Sequence, residues 1–361
     1  MTPGSRPIVF LYPGRLETPT GGYVYDRQLL RALEDIGIAV EAHSLGEGYP
    51  APSEETLAEA DALLSGLADG TRVVIDGLAY GVLDAAASRH GKRLALVALV
   101  HHPLAHESGL STDRMAELTA RERAALAHAR QVITTSAATA STLTREFAVP
   151  PERIGVVEPA LSIPPQEPDL NRNAASGVSP SVRLLAVGSL IRRKDYPTLL
   201  AALARMTDLD WHLDIAGSRD ADPDHAGEIC RRIEDLGLGG RITVHGALPE
   251  EAVSSLYRAA DIFVLTTLYE GYGMAFAEAM AHGLPVIATG EGAVATTVPA
   301  CAGLVLPAGA VEAVADALRR LIVDPEQRRT LAEGARRHAL SLPTWADQAR
   351  TFAKLLEGLS E

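Results

Sequence analysis

Short apolar runs recur along this chain with helical stretches between them, and most of the runs do not alternate apolar with polar residues. The run at 94–100 is apolar throughout; runs at 7–12, 38–44, 72–76, 131–135 and 154–157 complete a first series. A strand without a polar face has to be covered on both sides, so the pattern predicts parallel sheets with helices on both faces. Helices are predicted between the runs at 23–35, 52–67, 79–89, 113–129 and 137–147. In the first of these, Leu29, Leu30 and Leu33 share one face.

Around 158–180 the periodicity stops and prolines gather, which reads as a linker. A second alternation starts at Val182. Its strands are expected at 182–187, 211–216, 242–245, 262–265, 285–288 and 303–306. Its helices are expected at 197–206, 223–236, 250–259, 311–323, 325–340 and 345–359. The chain is therefore expected to hold a Rossmann-like domain over 1–160, a linker over 161–181, a second Rossmann-like domain over 182–340 and a closing helix within 341–361. The fold class is α/β, two doubly wound domains facing a central cleft. In such sheets ligands sit beyond the carboxyl ends of the strands.

Composition narrows the partners. The net charge is −13 and no basic stripe exists, which argues against nucleic acid. It also argues against a polybasic membrane anchor and leaves transient docking at a membrane face open. Cys230 and Cys301 form no disulfide framework, fit a reducing compartment and, having no activating pattern around them, are expected in the core. The first residues run straight into a strand with no signal-peptide pattern, so the expected location is cytoplasmic.

The strand ends carry the candidates. Residues 268–288 read strand exit, glycine loop, short Ala-rich helix and strand, with acids at Glu270 and Glu278. Glycines let a backbone approach a ligand closely, and the helix start at Gly273, Met274 and Ala275 offers N–H groups to an anion. An acid in so apolar a helix needs a partner or a solvent face. Arg192, Arg193 and Lys194 form the densest positive cluster of a negative chain. Three basic residues can be a solvated turn; their place at a strand end favours a phosphate or diphosphate. Gly21 and Gly22 open a helix without a dinucleotide fingerprint. Asp76 and Gly77 follow the third strand, and His101 and His102 the fourth. No metal-ligand spacing is evident, so the histidines read as hydrogen-bonding groups and no metal is expected. Asp222 reads as the cap of a helix with Pro223 at its first position.

Glu270-Gly271-Tyr272-Gly273-Met274, then Glu278-Ala279-Met280-Ala281 and Gly283-Leu284-Pro285-Val286, resemble the E-x7-E signature of family 4 glycosyltransferases. Val187-Gly188-Ser189-Leu190 with Arg193-Lys194 resembles that family's phosphate-binding loop, and Gly246-Ala247-Leu248 its nucleobase-contacting loop. Tyr257 to Leu265 is similar to its helix-strand lead-in. The first half matches more loosely, through Gly21-Gly22 and the histidine after the fourth strand. The resemblance implies the GT-B fold, with the final helix, after Pro343-Thr344-Trp345, crossing back to the first domain.

It further implies transfer, with retention, of a hexose-type sugar from a UDP- or GDP-sugar to an acceptor hydroxyl, without metal or other cofactor. The implied acceptor is unspecified: a small metabolite, a glycolipid or a glycan. Glu270 would hold donor-sugar hydroxyls and Glu278 the ribose. Gly273, Met274 and Ala275 would meet the diphosphate or sugar; Arg193 and Lys194 would neutralise the phosphates. Gly22 would close on the phosphates, His101 would point at the donor sugar, and Gly188, Gly246 and Leu248 would line the nucleotide. Two positions depart from the pattern: Ser189 where an arginine is usual, and Thr296 where an acid is expected. Two other readings stand beside this one: a nucleotide-sugar epimerase or phosphorylase of the same fold, and a non-catalytic nucleotide-sugar binder.

Overall fold

The computed structural model describes residues 7–161 and 181–359. All but the end residues of the expected linker, 161–181, lie outside them. The chain divides into two compact units: Met1–Ala160 with Pro343–Glu361, and Leu161–Leu342. Each is built on one six-stranded sheet in which every pairing is parallel.

In the first unit the strands are β1 (Ile8–Tyr12), β2 (Val40–Ser44), β3 (Arg72–Asp76), β4 (Ala95–Val100), β5 (Gln131–Thr134) and β6 (Ile154–Val156), in the order β2-β1-β3-β4-β5-β6. β3 and β4 are central strands buried along their whole length, β4 apolar throughout and β3 apolar between Arg72 and Asp76. β2 is an edge strand, and four of its five residues are exposed. The helix expected over 79–89 is two shorter ones, Gly77–Tyr80 and Asp84–His90. Asp76 starts the first early by accepting from the Leu78 N–H (2.8 Å). The break falls at Gly81, where a side chain would run into Leu104.

The second unit has β7 (Val182–Val187), β8 (Trp211–Ala216), β9 (Ile242–Gly246), β10 (Ile262–Leu265), β11 (Tyr269–Glu270), β12 (Val286–Thr289), β13 (Glu291–Gly292) and β14 (Gly303–Leu306). Its main sheet runs β14-β12-β10-β7-β8-β9, while β11 and β13 pair only with each other. The two faces of this sheet bury separate apolar clusters, one around Leu184, Leu213, Val264 and Leu318, the other around Leu185, Phe263, Phe276 and Met280.

The helix Trp345–Glu357 belongs to the first unit although it follows the second in the chain. A capping box between Thr344 and Asp347 starts it. Trp345 meets Tyr25 edge-on at 5.4 Å, and Leu355 fills the space where a side chain at Gly155 would lie. Asp222 caps Pro223–Asp235 by accepting from His225 N, as expected. Cys301, expected in the core, is exposed: its backbone abuts Gly334 while its side chain stays at the surface. No helix among the described residues is long and apolar enough to cross a membrane.

Candidate functional site

In the second unit the chain leaves β7 on one side to make β8 and β9, then returns to the other side of β7 as β10. Loops leaving two such strands diverge and open a crevice at their carboxyl ends. The loop after β7 holds Arg192–Lys194 in one tight turn, and the loop after β10 runs through Thr266 to Glu270. Hydrogen bonds lace them together. Leu268 N donates to Arg193 O (2.8 Å), Thr267 Oγ1 to Arg193 O (3.0 Å) and Thr266 Oγ1 to Asp195 O (2.9 Å).

This lacing brings residues 76 positions apart into contact. Lys194 Nζ lies 2.6 Å from Glu270 Oε1. Arg193 Nη1 lies 3.4 Å from Glu270 Oε2 and donates to Tyr269 O at 2.9 Å. All three charged side chains are largely buried, Glu270 at 8% exposure. Burial alone would raise the Glu270 carboxyl; Lys194 and Arg193 overrule it and hold the pKa below the usual value. Two cations therefore face one carboxylate at the strand ends. The partners expected for Glu270 were ligand hydroxyls alone; the structure gives it two cations as well.

Glu270 is held from behind too. β11 and β13 pair Tyr269 with Glu291 and Glu270 with Gly292, and Ala293 N donates to Glu270 O (2.9 Å). Thr296, at the position where an acid was expected, closes its own turn by donating to Ala293 O (2.8 Å). The helix Met274–Ala281 starts from Gly273, whose φ is +93°. A Cβ there would sit 2.5 Å from the Phe276 ring, so both backbone and packing require glycine. The first N–H groups of this helix, at Met274 and Ala275, have no partner within it. Along the same helix, Glu278 lies 3.2 Å from the Tyr257 hydroxyl. Burial pushes the Glu278 carboxyl up to about 7, against the pull of that hydroxyl. Tyr257 itself is fixed by stacking on His282 at 5.0 Å.

The remaining candidates of this unit fall in separate places. Gly188 backs the lysine: a Cβ there would come within 3.2 Å of Lys194 Cε. Gly246 ends the edge strand β9, two strands from β7, and Leu248 follows half-buried. Arg192 turns to Asp222 and Glu228, at 3.7 and 3.9 Å.

The first unit has the same logic at its own switch point. β1 lies between β2 and β3, with β4 beyond β3. The helix Gly21–Asp35 follows β1, Asp76 ends β3, and His101 follows β4. The structure brings all three strand ends together. His101 Nε2 is 3.2 Å from Asp76 Oδ2 and 3.3 Å from Asp26 Oδ1. Gly22 faces the same ring, and a Cβ there would lie 3.3 Å from His101 Cδ2. Thr135 Oγ1 donates to the His101 carbonyl at 3.2 Å. The loop beyond is anchored by Glu122, a buried acid that accepts from Leu104 N at 2.9 Å and whose pKa burial raises to about 8. His102 instead meets Glu107 at 3.3 Å.

Known proteins resemble this chain at three levels. The model of the glycosyl transferases group 1 family matches residues 173–338. The chain carries a glycosyl transferases group 1 domain. That domain and its named relatives make the protein a transferase enzyme. An MMP alpha-(1->4)-mannosyltransferase of Mycolicibacterium hassiacum is 29% identical over 332 residues, 86% of this chain and 76% of that protein. A D-inositol 3-phosphate glycosyltransferase of Catenulispora acidiphila is 30% identical over 236 residues, 61% of this chain and 55% of that protein. The match thus spans little more than half of the inositol relative. Among solved structures, the sucrose-phosphate synthase of Thermosynechococcus elongatus aligns with a TM-score of 0.78 at 23% identity, over 98% of this chain and 99% of that one. Anabaena HepE in complex with UDP and glucose aligns with a TM-score of 0.75 at 19% identity, over 97% and 100%. At such identities the likeness is one of fold, and the fold is GT-B.

Sequence reasoning overlooked four residues of this glycosyltransferase. Thr266 and Thr267 carry no motif of their own, and only the pairing of β7 with β10 gives them a role. Tyr257 sat inside the helix-strand lead-in without being linked to Glu278. Asp26 had a visible signal: with Leu29, Leu30 and Leu33 it occupies i, i+3, i+4 and i+7 of one helix face. An acid on an apolar stripe is a request for a buried cation.

Proposed function

We propose that this glycosyltransferase moves a hexose-type sugar from a nucleoside-diphosphate sugar to an acceptor hydroxyl, with retention and without a metal. The observation that carries the reading is the Arg193–Lys194–Glu270 cluster at the switch point of the second sheet. Its two preplaced cations suit a diphosphate, and its carboxylate can accept from sugar hydroxyls once the phosphates draw the cations toward themselves. Charge on the leaving diphosphate grows as the glycosidic bond breaks, so preplaced cations lower the barrier more than they tighten substrate binding. The N–H groups of Met274 and Ala275 add to that field, and Glu278, beside Tyr257, is assigned the ribose.

In the first unit, the family resemblance assigns His101 to the donor sugar and Gly22 to the phosphates. Gly188 is assigned to the phosphate loop; Gly246 and Leu248 are assigned to the base. Retention follows if the acceptor attacks the face the diphosphate leaves, with a departing phosphate oxygen taking the acceptor proton. That route needs no second carboxylate as nucleophile, unlike a retaining glycosidase. The inositol-phosphate relative makes a small phosphorylated acceptor one to test first.

The test is a thermal-shift panel of UDP, GDP and their hexose conjugates, followed by mass spectrometry of products with inositol phosphates and small glycosides as acceptors. Stabilisation by one nucleoside diphosphate and release of it together with a new glycoside support the reading. An isomerised donor, a sugar 1-phosphate, or donor binding without any transfer would point to the other activities of this fold.

A further inference from the structure

Asp26 is an acid with no exposed surface and no hydrogen bond to either carboxylate oxygen. A buried charge of that kind is tolerated only beside a partner. The neighbours from every packed element are few. The Gly21–Asp35 helix contributes Asp26 itself, Tyr23, and Tyr25, which meets the His101 ring edge-on at 5.2 Å. β3 contributes Asp76, and the residue after β4 is His101. One Asp76 oxygen is occupied by Leu78 N–H, and the other faces His101 Nε2. A single imidazole nitrogen thus serves two buried carboxylates, and among the described residues the basic side chain paired with them is that of His101.

We propose that Asp26 and Asp76 are positioning residues that keep His101 as a permanent imidazolium. Its Nε2 faces the two acids at ion-pair distance, and Nδ1–H is the group left to face a ligand. His101 therefore donates a hydrogen bond and a positive charge; it does not take the acceptor's proton. The proton between these groups needs no entry path, which a hydrated ion would need to reach an acid as enclosed as Asp26. The electrostatics agree. Burial on its own would lower the His101 pKa, but the two carboxylates raise it to about 10. Burial, and Asp76 after it, raises Asp26 in turn, against the pull of His101. Burial, and after it Asp76, Glu47 and Asp26, push Tyr23 up to about 12, so it stays neutral. That His101 touches the donor rests on the function proposed above; its protonation does not.

The measurement is a pH titration by NMR of the full chain with ¹⁵N-labelled histidine. The protein has 11 histidines, and the His101 signals are identified by their loss in His101→Gln. The wild-type ring should keep the imidazolium pattern through pH 8.5. In Asp26→Asn/Asp76→Asn it should become neutral at or below the ordinary histidine value, since burial then acts unopposed. At pH 8 at most about 3% of such a ring is protonated, so transfer by that variant should fall by at least about 25-fold relative to pH 6, while wild-type transfer does not. A neutral His101 at pH 7 in the wild type would overturn the proposal, even where the double variant fails to fold. So would a divalent ion held at one per chain whose removal by chelation shifts the His101 signals, since Asp26, Asp76 and His101 also lie close enough together to hold one. An imidazolium signal in a protein that binds no nucleoside diphosphate would leave this inference standing and remove the proposed activity instead.

Discussion

Lys194→Met isolates the central pair of the second unit. The substitution keeps the stem packed against Gly188 and deletes the ammonium 2.6 Å from Glu270. Removing one partner of a buried ion pair costs about 3–5 kcal/mol, because the other charge stays behind without water. Arg193, at 3.4 Å, still faces Glu270, so the lower end applies. For a unit of 150–250 residues each kcal/mol moves Tm by about 2–4 °C, so a loss of roughly 6–12 °C is expected by differential scanning fluorimetry. Transfer should fall by about 10²–10³, the range seen when one preorganised group aimed at developing charge is removed. Lys194→Met/Glu270→Gln separates the two effects. With the orphaned carboxylate neutralised, at least half of the lost stability should return, while turnover stays low because neither side chain can meet the diphosphate or the sugar. A double variant that regained near-wild-type transfer along with its Tm would show that the pair only holds the fold, and the donor assignment would be wrong.

Three further outcomes follow from buried groups and from one glycine. Nucleoside-diphosphate affinity, followed by calorimetry, should weaken as pH falls through about 7, where the raised Glu278 carboxyl takes up its proton and stops accepting from ribose hydroxyls; Glu278→Gln should bind weakly and lose that pH dependence. Glu122→Gln keeps an acceptor for Leu104 N and removes a buried ionisable group. Because the folded pKa is raised from 4.5 to about 8, the wild type loses stability as pH rises above the unfolded value, so the variant should match its Tm at pH 4 and exceed it at pH 9. Gly273→Ala forces a side chain into a left-handed backbone and against Phe276; it should cost at least about 1–2 kcal/mol by urea denaturation and blunt the thermal shift given by the preferred nucleotide.

Much of the second unit was legible because its chemistry is local. The glycine loop, Glu270, Glu278 and the Arg193–Lys194 turn lie in two short stretches, each ending an apolar run, and strand ends are where a parallel sheet presents ligands. What stayed hidden depended on strand order. Nothing in the spacing of Lys194 and Glu270 says that they touch; that needs β7 beside β10. Asp26, Asp76 and His101 are likewise scattered in the chain and become neighbours only because β1, β3 and β4 are adjacent. The split of the expected 79–89 helix and the exposure of Cys301 have the same origin, since Leu104 and Gly334 are distant in sequence from the positions they constrain.

The closing helix has a consequence for how the protein is made. Its partners Tyr25 and Gly155 leave the ribosome early, but between the two segments of the first unit stand the 182 residues of Leu161–Leu342. At about 5–20 residues per second, roughly 10–40 s pass before Trp345 and Leu355 are synthesised. Throughout that interval the nascent first unit carries an uncovered apolar face, open to chaperones and to other nascent chains. The second unit, continuous in sequence, can finish folding while the first is still waiting for its last helix.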